Sequence, residues 1–185
     1  MASPSQTSYH AVQFFGEDKT LFETAAAFLG QGFLERQPAL IIATSQHAAG
    51  ILNELQQLMI DVNRARRLGD LVVFDAHRML ETMIDGEIPN PTKIEETFVS
   101  LFTTMTQRRG HRPSIRLYGE GVDVLWKQGR FDTAIRLEVV WHNLCARYPI
   151  ATLCGYAMRN FLNETMLFEE VCRQHTHVLP ARPQA

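Results

Sequence analysis

The chain has 185 residues, of which 45% are hydrophobic and 21% charged, and carries a formal net charge of −2 at pH 7. That length suits one domain with one full core. The near-neutral charge excludes a global attraction to nucleic acid or to an anionic membrane. The longest apolar runs, such as Ala39 to Ala43 and Leu71 to Phe74, fall far short of the roughly 20 residues that span a bilayer, so no membrane helix is expected. Residues 1–8 are small and polar, without a basic segment followed by an apolar run, and read as a disordered lead rather than a secretory signal. The three cysteines, Cys145, Cys154 and Cys172, are odd in number and sparse. They argue for reduced thiols, a cytoplasmic setting and no structural disulfide.

In chain order, His10 to Phe15 is a short β-favouring run. Asp18 to Phe33 then places Leu21, Phe22, Ala25, Phe28, Leu29 and Phe33 at helical spacing, which predicts a strand followed by an amphipathic helix. Pro38 opens Ala39 to Ala43, an unbroken apolar strand of the kind buried on both faces, and Thr44 or Ser45 suits the cap of a helix to about Met59. Asp61 to Leu68 reads as a short basic helix stopped by Gly69, and Leu71 to Phe74 as a third apolar strand ending at Asp75. Ile84 to Pro91, rich in proline, glycine and polar residues, reads as a loop. A helix from Pro91 or Thr92 presents Ile94, Phe98, Leu101, Phe102 and Met105 on one face and ends at Arg108-Arg109-Gly110. Ser114 to Tyr118 is the fourth strand. Gly119-Glu120-Gly121 turns into a helix through Trp126, Phe131 to Arg147 is a longer helix, Ile150 to Tyr156 is the fifth strand, and Glu164 to His175 is a final helix. Five strands separated by helices predict an α/β fold, a three-layer sandwich around a mostly parallel sheet of five or slightly more strands.

No strand is followed by a glycine-rich phosphate loop. The first strand-to-helix junction, Phe15-Gly16-Glu17-Asp18-Lys19-Thr20, offers one glycine and two carboxylates where a phosphate would need bare N–H groups. In parallel sheets ligands gather outside the carboxyl ends of the strands. The groups to weigh there are Glu17 and Asp18, Ser45 and His47, Asp75 and His77, Glu120, and Tyr156 and Arg159. Asp18 and Asp75 read first as helix caps. Glu120 stands between two glycines that let backbone approach a ligand closely. Glu138 is the sharper anomaly, because Ala134, Ile135, Trp141 and Cys145 mark its face of the helix as core-directed, and a carboxylate there needs a partner. His142 is one turn on, and His10 reaches it only through the fold. Cys172-x-x-His175-x-His177 has zinc-competent side chains but only three local ligands and no CxxC spacing, so no metal ligand set is assigned. No catalytic residue and no cofactor is assigned either.

The segments His10 to Phe15, Leu40 to Thr44, Gly69 to Ala76, Tyr118-Gly119-Glu120-Gly121-Val122 with Leu125-Trp126, Leu137 to Leu144, and Leu153-Cys154-Gly155-Tyr156 together resemble the MEDS domain, the methanogen/methylotroph DcmR sensory domain. The likeness covers about residues 9–178, leaving 179–185 as a flexible tail. It implies a RecA- or KaiC-like core that has lost its phosphate loop, and a sensory rather than enzymatic role. It further implies a small organic ligand, such as a halogenated or one-carbon metabolite, and a histidine kinase or transcription regulator as the partner that takes the signal. The family's recurrent polar positions fall on His10, Asp75, Glu120, Glu138 and Trp141, which become the expected ligand-binding set. Two other readings stand beside it: a ligand-free interaction module in a partner-switching pathway, and a degenerate nucleotide-binding protein with Glu120 activating water. Self-association through a sheet edge, or through the helices carrying Trp126 and Trp141, is compatible with the pattern.

Overall fold

A computed structural model describes residues 9–107, 114–161 and 165–179. The strands of the main sheet are β1 (Tyr9–Phe15), β2 (Ala39–Ala43), β3 (Leu71–Asp75), β6 (Ile115–Gly119), β7 (Ile150–Ala157) and β8 (His177–Leu179). They run in the order β3-β2-β6-β7-β1-β8, and every neighbouring pair is parallel. Parallel neighbours require crossovers, and the helices that supply them cover both faces. On one face α1 (Asp18–Leu34), α2 (Ser45–Gln57) and α3 (Val62–Leu68) pack over Ala11, Ile41, Tyr118 and Leu153. On the other, α4 (Ala76–Met83), α5 (Pro91–Thr106), α6 (Gly121–Lys127), α7 (Phe131–Arg147) and α8 (Thr165–Arg173) pack over Val12, Ile42, Leu117, Cys154 and Tyr156. The expected α/β sandwich is therefore the observed one. Among the described residues the sheet has six strands.

Local chemistry fixes several boundaries. Asp61 accepts a hydrogen bond from the Arg64 amide at 2.8 Å to open α3, and Gly69 closes it with φ +74°, a left-handed value that favours glycine. Asn90 caps α5 through the Lys93 amide, with Pro91 as the first helical residue. The end expected for that helix at Arg108 to Gly110 lies outside the described residues, as do the lead over 1–8 and all of the expected tail except Leu179.

The structure departs from the sequence reading in four places. Ile84 to Pro91 contains a two-residue antiparallel pairing, β4 (Ile84–Asp85) with β5 (Ile88–Pro89), turned at Gly86 with φ +65°. The last helix ends at Arg173 rather than His175, and His177 to Leu179 adds β8 against β1. That edge strand is too short to show a period in sequence. Asp18 does not cap α1: Glu17 holds the N-cap position, and Asp18 instead accepts a hydrogen bond from Gln46 and lies near His47. Thr44 holds the N-cap position of α2 without a capping bond from its own side chain.

Tyr118 and Tyr156 are the largest fully buried side chains of the core, and each aims its hydroxyl at a buried carboxylate. Tyr118 reaches Glu120 past Gly155, which lies on the same face of β7 two residues beyond its register partner Leu153 and where a Cβ atom would lie 2.5 Å from the tyrosine oxygen. Gly155→Ala is accordingly expected to destabilise the fold by about 1–3 kcal/mol. Urea denaturation of Gly155→Ala with Tyr118→Phe should show a loss smaller than the sum of the two single changes. Full additivity would mean that the hydroxyl is not what the glycine accommodates.

Candidate functional site

The sheet presents two buried polar clusters, each a tyrosine, a glutamate and histidine. The first lies at the carboxyl end of β6. Glu120 is 1% exposed and accepts three hydrogen bonds, from the Thr44 amide at 2.6 Å, from His47 Nδ1 at 2.6 Å and from the Tyr118 hydroxyl at 3.1 Å. His47 Nε2 turns to Asp18 Oδ1 at 3.5 Å, so the imidazole bridges two carboxylates. The hydrogen bond to Glu120 raises the pKa of His47 above its ordinary value, against burial and with further help from the charges of Glu120 and Asp18. Burial alone would raise the pKa of Glu120, but the hydrogen bond and charge of His47 and the Thr44 amide outweigh it and hold the carboxyl below its ordinary range. Nearby, buried Asp123 accepts from the Ala157 amide and from Asn160, and pairs with Lys127 one turn on, fastening α6 to the end of β7.

The second cluster lies on the opposite face, between the sheet and α7. Its centre is Glu138, with no exposed surface. The alternation of β1 and β7 puts His10, Thr152, Cys154 and Tyr156 on this face, since side chains of a strand point to opposite sides in turn. The Tyr156 hydroxyl donates to Glu138 Oε1 at 2.9 Å. Glu138 Oε2 meets His10 Nε2 at 3.2 Å, His175 Nε2 at 3.4 Å and the Cys154 thiol at 3.6 Å. The imidazoles of His10 and His175 stack with centroids 4.1 Å apart. Burial lowers the pKa of His10 despite its bond to Glu138. For His175 burial works in the same direction, but the charge of nearby Glu138 and the hydrogen bond to the Val171 carbonyl prevail and raise its pKa. Glu138, which burial would push up, is held far below the ordinary carboxylate range by the charge of His175 and the closeness of both imidazoles. Burial, reinforced by the Glu138 charge, pushes the Cys154 thiol and the Tyr156 hydroxyl well up.

Beside this cluster is a cavity of about 20 Å³. Met79 and Met83 of α4, Gly119 and Gly121 around Glu120, Trp141 of α7 and Cys154 of β7 line it. The two glycines expected to admit a ligand do face this space: a Cβ on Gly121 would stand 3.2 Å from Leu80. Trp141 is buried with its ring edge-on to Phe98, centroids 4.7 Å apart.

The expected set is thus divided. His10 and Glu138 meet directly, and Trp141 stands at the cavity next to them. Glu120 belongs to the other cluster, on the far side of the sheet. Asp75 caps α4 through the Arg78 amide at the end of the edge strand β3 and joins neither. His142, adjacent to Glu138 on the helix, is not among its hydrogen-bond partners; its ring lies 6.1 Å from that of His10. Cys172 and His177 do not accompany His175: His177 stacks on Tyr9 and hydrogen-bonds Thr176. Sequence reasoning did not join His175 and Cys154 to Glu138. The period-two alternation of β7 could have selected Cys154 and Tyr156, whereas a separation of 37 positions from Glu138 to His175 carries no local signal.

The architecture is that of a parallel α/β domain with an enclosed site. Over residues 9–176 the chain matches the family model described as MEDS, the methanogen/methylotroph, DcmR sensory domain. The chain belongs to that family of sensory domains. No match is found among curated proteins. Among the described residues, no helix is long and apolar enough to cross a membrane.

Proposed function

We propose that this chain is a cytoplasmic sensory domain that takes a small, largely apolar organic molecule into the cavity beneath α4 and α7. Occupancy then shifts a surface read by a signalling partner such as a histidine kinase or transcription regulator. The observation that carries this reading is the position of the cavity: Trp141 and Cys154 line it, and Cys154 is also a member of the Glu138 cluster. A molecule that enters therefore meets an aromatic wall and a thiol, with Glu138 and His10 directly behind. Glycine on both sides of Glu120 keeps the space open, and the unbranched side chains of Met79 and Met83 can rearrange around different occupants. A ligand signals only to the extent that it binds one conformation better than another. The role is binding rather than turnover, because Glu120, His47 and Glu138 are each held by hydrogen bonds within their own cluster.

The small volume favours one other reading. A space of about 20 Å³ holds little more than a water molecule, as a vestigial pocket in a protein-interaction module would. Fluorescence separates the two. In Trp126→Phe, Trp141 is the remaining tryptophan, and dichloromethane is expected to quench it saturably. Gly121→Val, which fills the cavity, should abolish the saturable part. Quenching that rises linearly with concentration and is indifferent to Gly121→Val would sink the ligand reading in favour of the interaction module.

A further inference from the structure

We infer that His10, Glu138, Cys154 and His175 form a closed four-ligand site for a divalent transition metal, with zinc the ion that fits the donor set best. The four donor atoms, two imidazole nitrogens, a carboxylate oxygen and a thiol sulfur, lie within 4.8 Å of one another. A tetrahedral ion bonded to such ligands at ~2.0–2.3 Å places them ~3.3–3.8 Å apart. Four of the separations here are 3.2, 3.4, 3.4 and 3.6 Å.

Hydrogen positions point the same way. His10 Nδ1 faces the Gln174 carbonyl at 3.0 Å and His175 Nδ1 faces the Val171 carbonyl at 2.7 Å. A carbonyl only accepts, so each Nδ1 carries the hydrogen, and in a neutral ring Nε2 is then a bare lone pair. In the neutral rings that a metal binds, both lone pairs converge on Glu138 Oε2, itself an acceptor. His175 Nε2 is buried without any hydrogen-bond partner. A cation at the centre resolves this meeting of lone pairs. Backbone carbonyls on the far nitrogens, together with the Tyr156 hydroxyl on the other carboxylate oxygen, are the outer contacts that orient metal ligands.

Charge also balances. On binding, the Cys154 thiol releases its proton to solvent, and a dication with one thiolate and one carboxylate leaves the core neutral, whereas a net buried charge would be costly. Mixed nitrogen, oxygen and sulfur ligation with no bound water describes a structural rather than a catalytic zinc. The site joins β1, α7 and β7 to the segment after α8, so the ion is taken up as that segment docks. The assignment does not depend on the ligand proposed for the cavity.

The test uses the whole chain, stripped with EDTA and titrated with Co²⁺, then with Zn²⁺ against a chromophoric chelator. One equivalent of cobalt should produce tetrahedral d–d absorption and a thiolate-to-cobalt charge-transfer band, both removed by zinc. Cys154→Ser should lose the charge-transfer band. His175→Gln should weaken zinc binding by more than the roughly 10–100-fold that a change to an outer contact costs. Cys172→Ser and His177→Gln should retain both signals. Zinc affinity unchanged in Cys154→Ser and His175→Gln would overturn the site. If those variants fail to fold, the Cys172→Ser protein decides: the absence of a charge-transfer band at one equivalent of cobalt overturns it equally.

Discussion

Replacing Glu138 by alanine is expected to lower the unfolding free energy by about 3–5 kcal/mol, the usual cost of removing one partner from a buried charge pair. The carboxylate lies at the meeting point of four parts of the fold: α7 carries it, β1 supplies His10, β7 supplies Cys154 and Tyr156, and His175 comes from the segment between α8 and β8. With alanine there, the Tyr156 hydroxyl loses its acceptor, the two imidazoles lose the carboxylate they face, and a void opens in the core. For a domain of this size each kcal/mol moves Tm by roughly 2–4 °C, so the melting temperature should fall by well over five degrees. Glu138→Gln keeps the volume and can still accept from Tyr156, so its loss should be distinctly smaller. Equal losses for the two variants would show that side-chain volume, rather than the charge and its bonds, stabilises this part of the core. A loss below about 1 kcal/mol for alanine would contradict the role given to the cluster as a whole.

The second large effect is expected at Glu120, where alanine leaves the Thr44 amide, His47 and the Tyr118 hydroxyl without their acceptor, at a cost of about 3 kcal/mol. Here pH supplies a signature that a packing defect would not. The pKa of His47 is raised in the folded protein, so its contribution is fully present below its ordinary value of 6.5 and is lost as pH rises through the raised value. The pKa of Glu120 is depressed, so its contribution is present above the ordinary value of 4.5 and is lost as pH falls through the depressed value. The pair therefore stabilises most between pH 4.5 and 6.5. Asp18 strengthens the effect on His47 and Lys127 opposes it. Urea midpoints measured from pH 5 to 9 should decline on the alkaline side in the native protein and flatten in both Glu120→Ala and His47→Gln. A decline that persists unchanged in His47→Gln would have to originate elsewhere.

How much of this was legible in the sequence depended on the distance over which each signal acts. Strands β2 and β3 announce themselves as unbroken apolar runs because both faces of a parallel sheet are covered. Asp61 and Gly69 mark the two ends of α3 through bonds that span only a few residues. Glu138 was legible as a misplaced charge on an apolar helix face, which shows that a partner exists but not which one. Its partners come from β1, β7 and the C-terminal segment, and only the sheet order makes them neighbours. The nearer candidate, His142, had helical spacing in its favour but is not among the partners of Glu138. Glu120 and Asp75 both follow strands and read alike, yet one is buried in the middle of the sheet and the other caps a helix beside an edge strand. Strand order decides that difference. The resemblance to a sensory family identified the recurrent positions, but it could not divide them between the two faces.

Three hydrogen bonds join His10 to Thr176 across a separation of 166 positions: the His10 amide donates to the threonine hydroxyl, and the Thr176 hydroxyl and amide both donate to the His10 carbonyl. A contact of such range is paid for in chain entropy before it returns anything. During synthesis β1 emerges first and must wait for nearly the whole domain before its amino end finds Thr176 and His175. Until then the Glu138 pocket has a missing wall, and the nascent domain holds a buried carboxylate only partly matched. Completion of the cluster is thus a late folding event. A chain that stops short of residue 174 would keep five of the six strands in their order, lacking only β8 at the edge, but with an unfinished centre, the kind of near-native intermediate that cellular quality control detects by its looseness rather than by its shape.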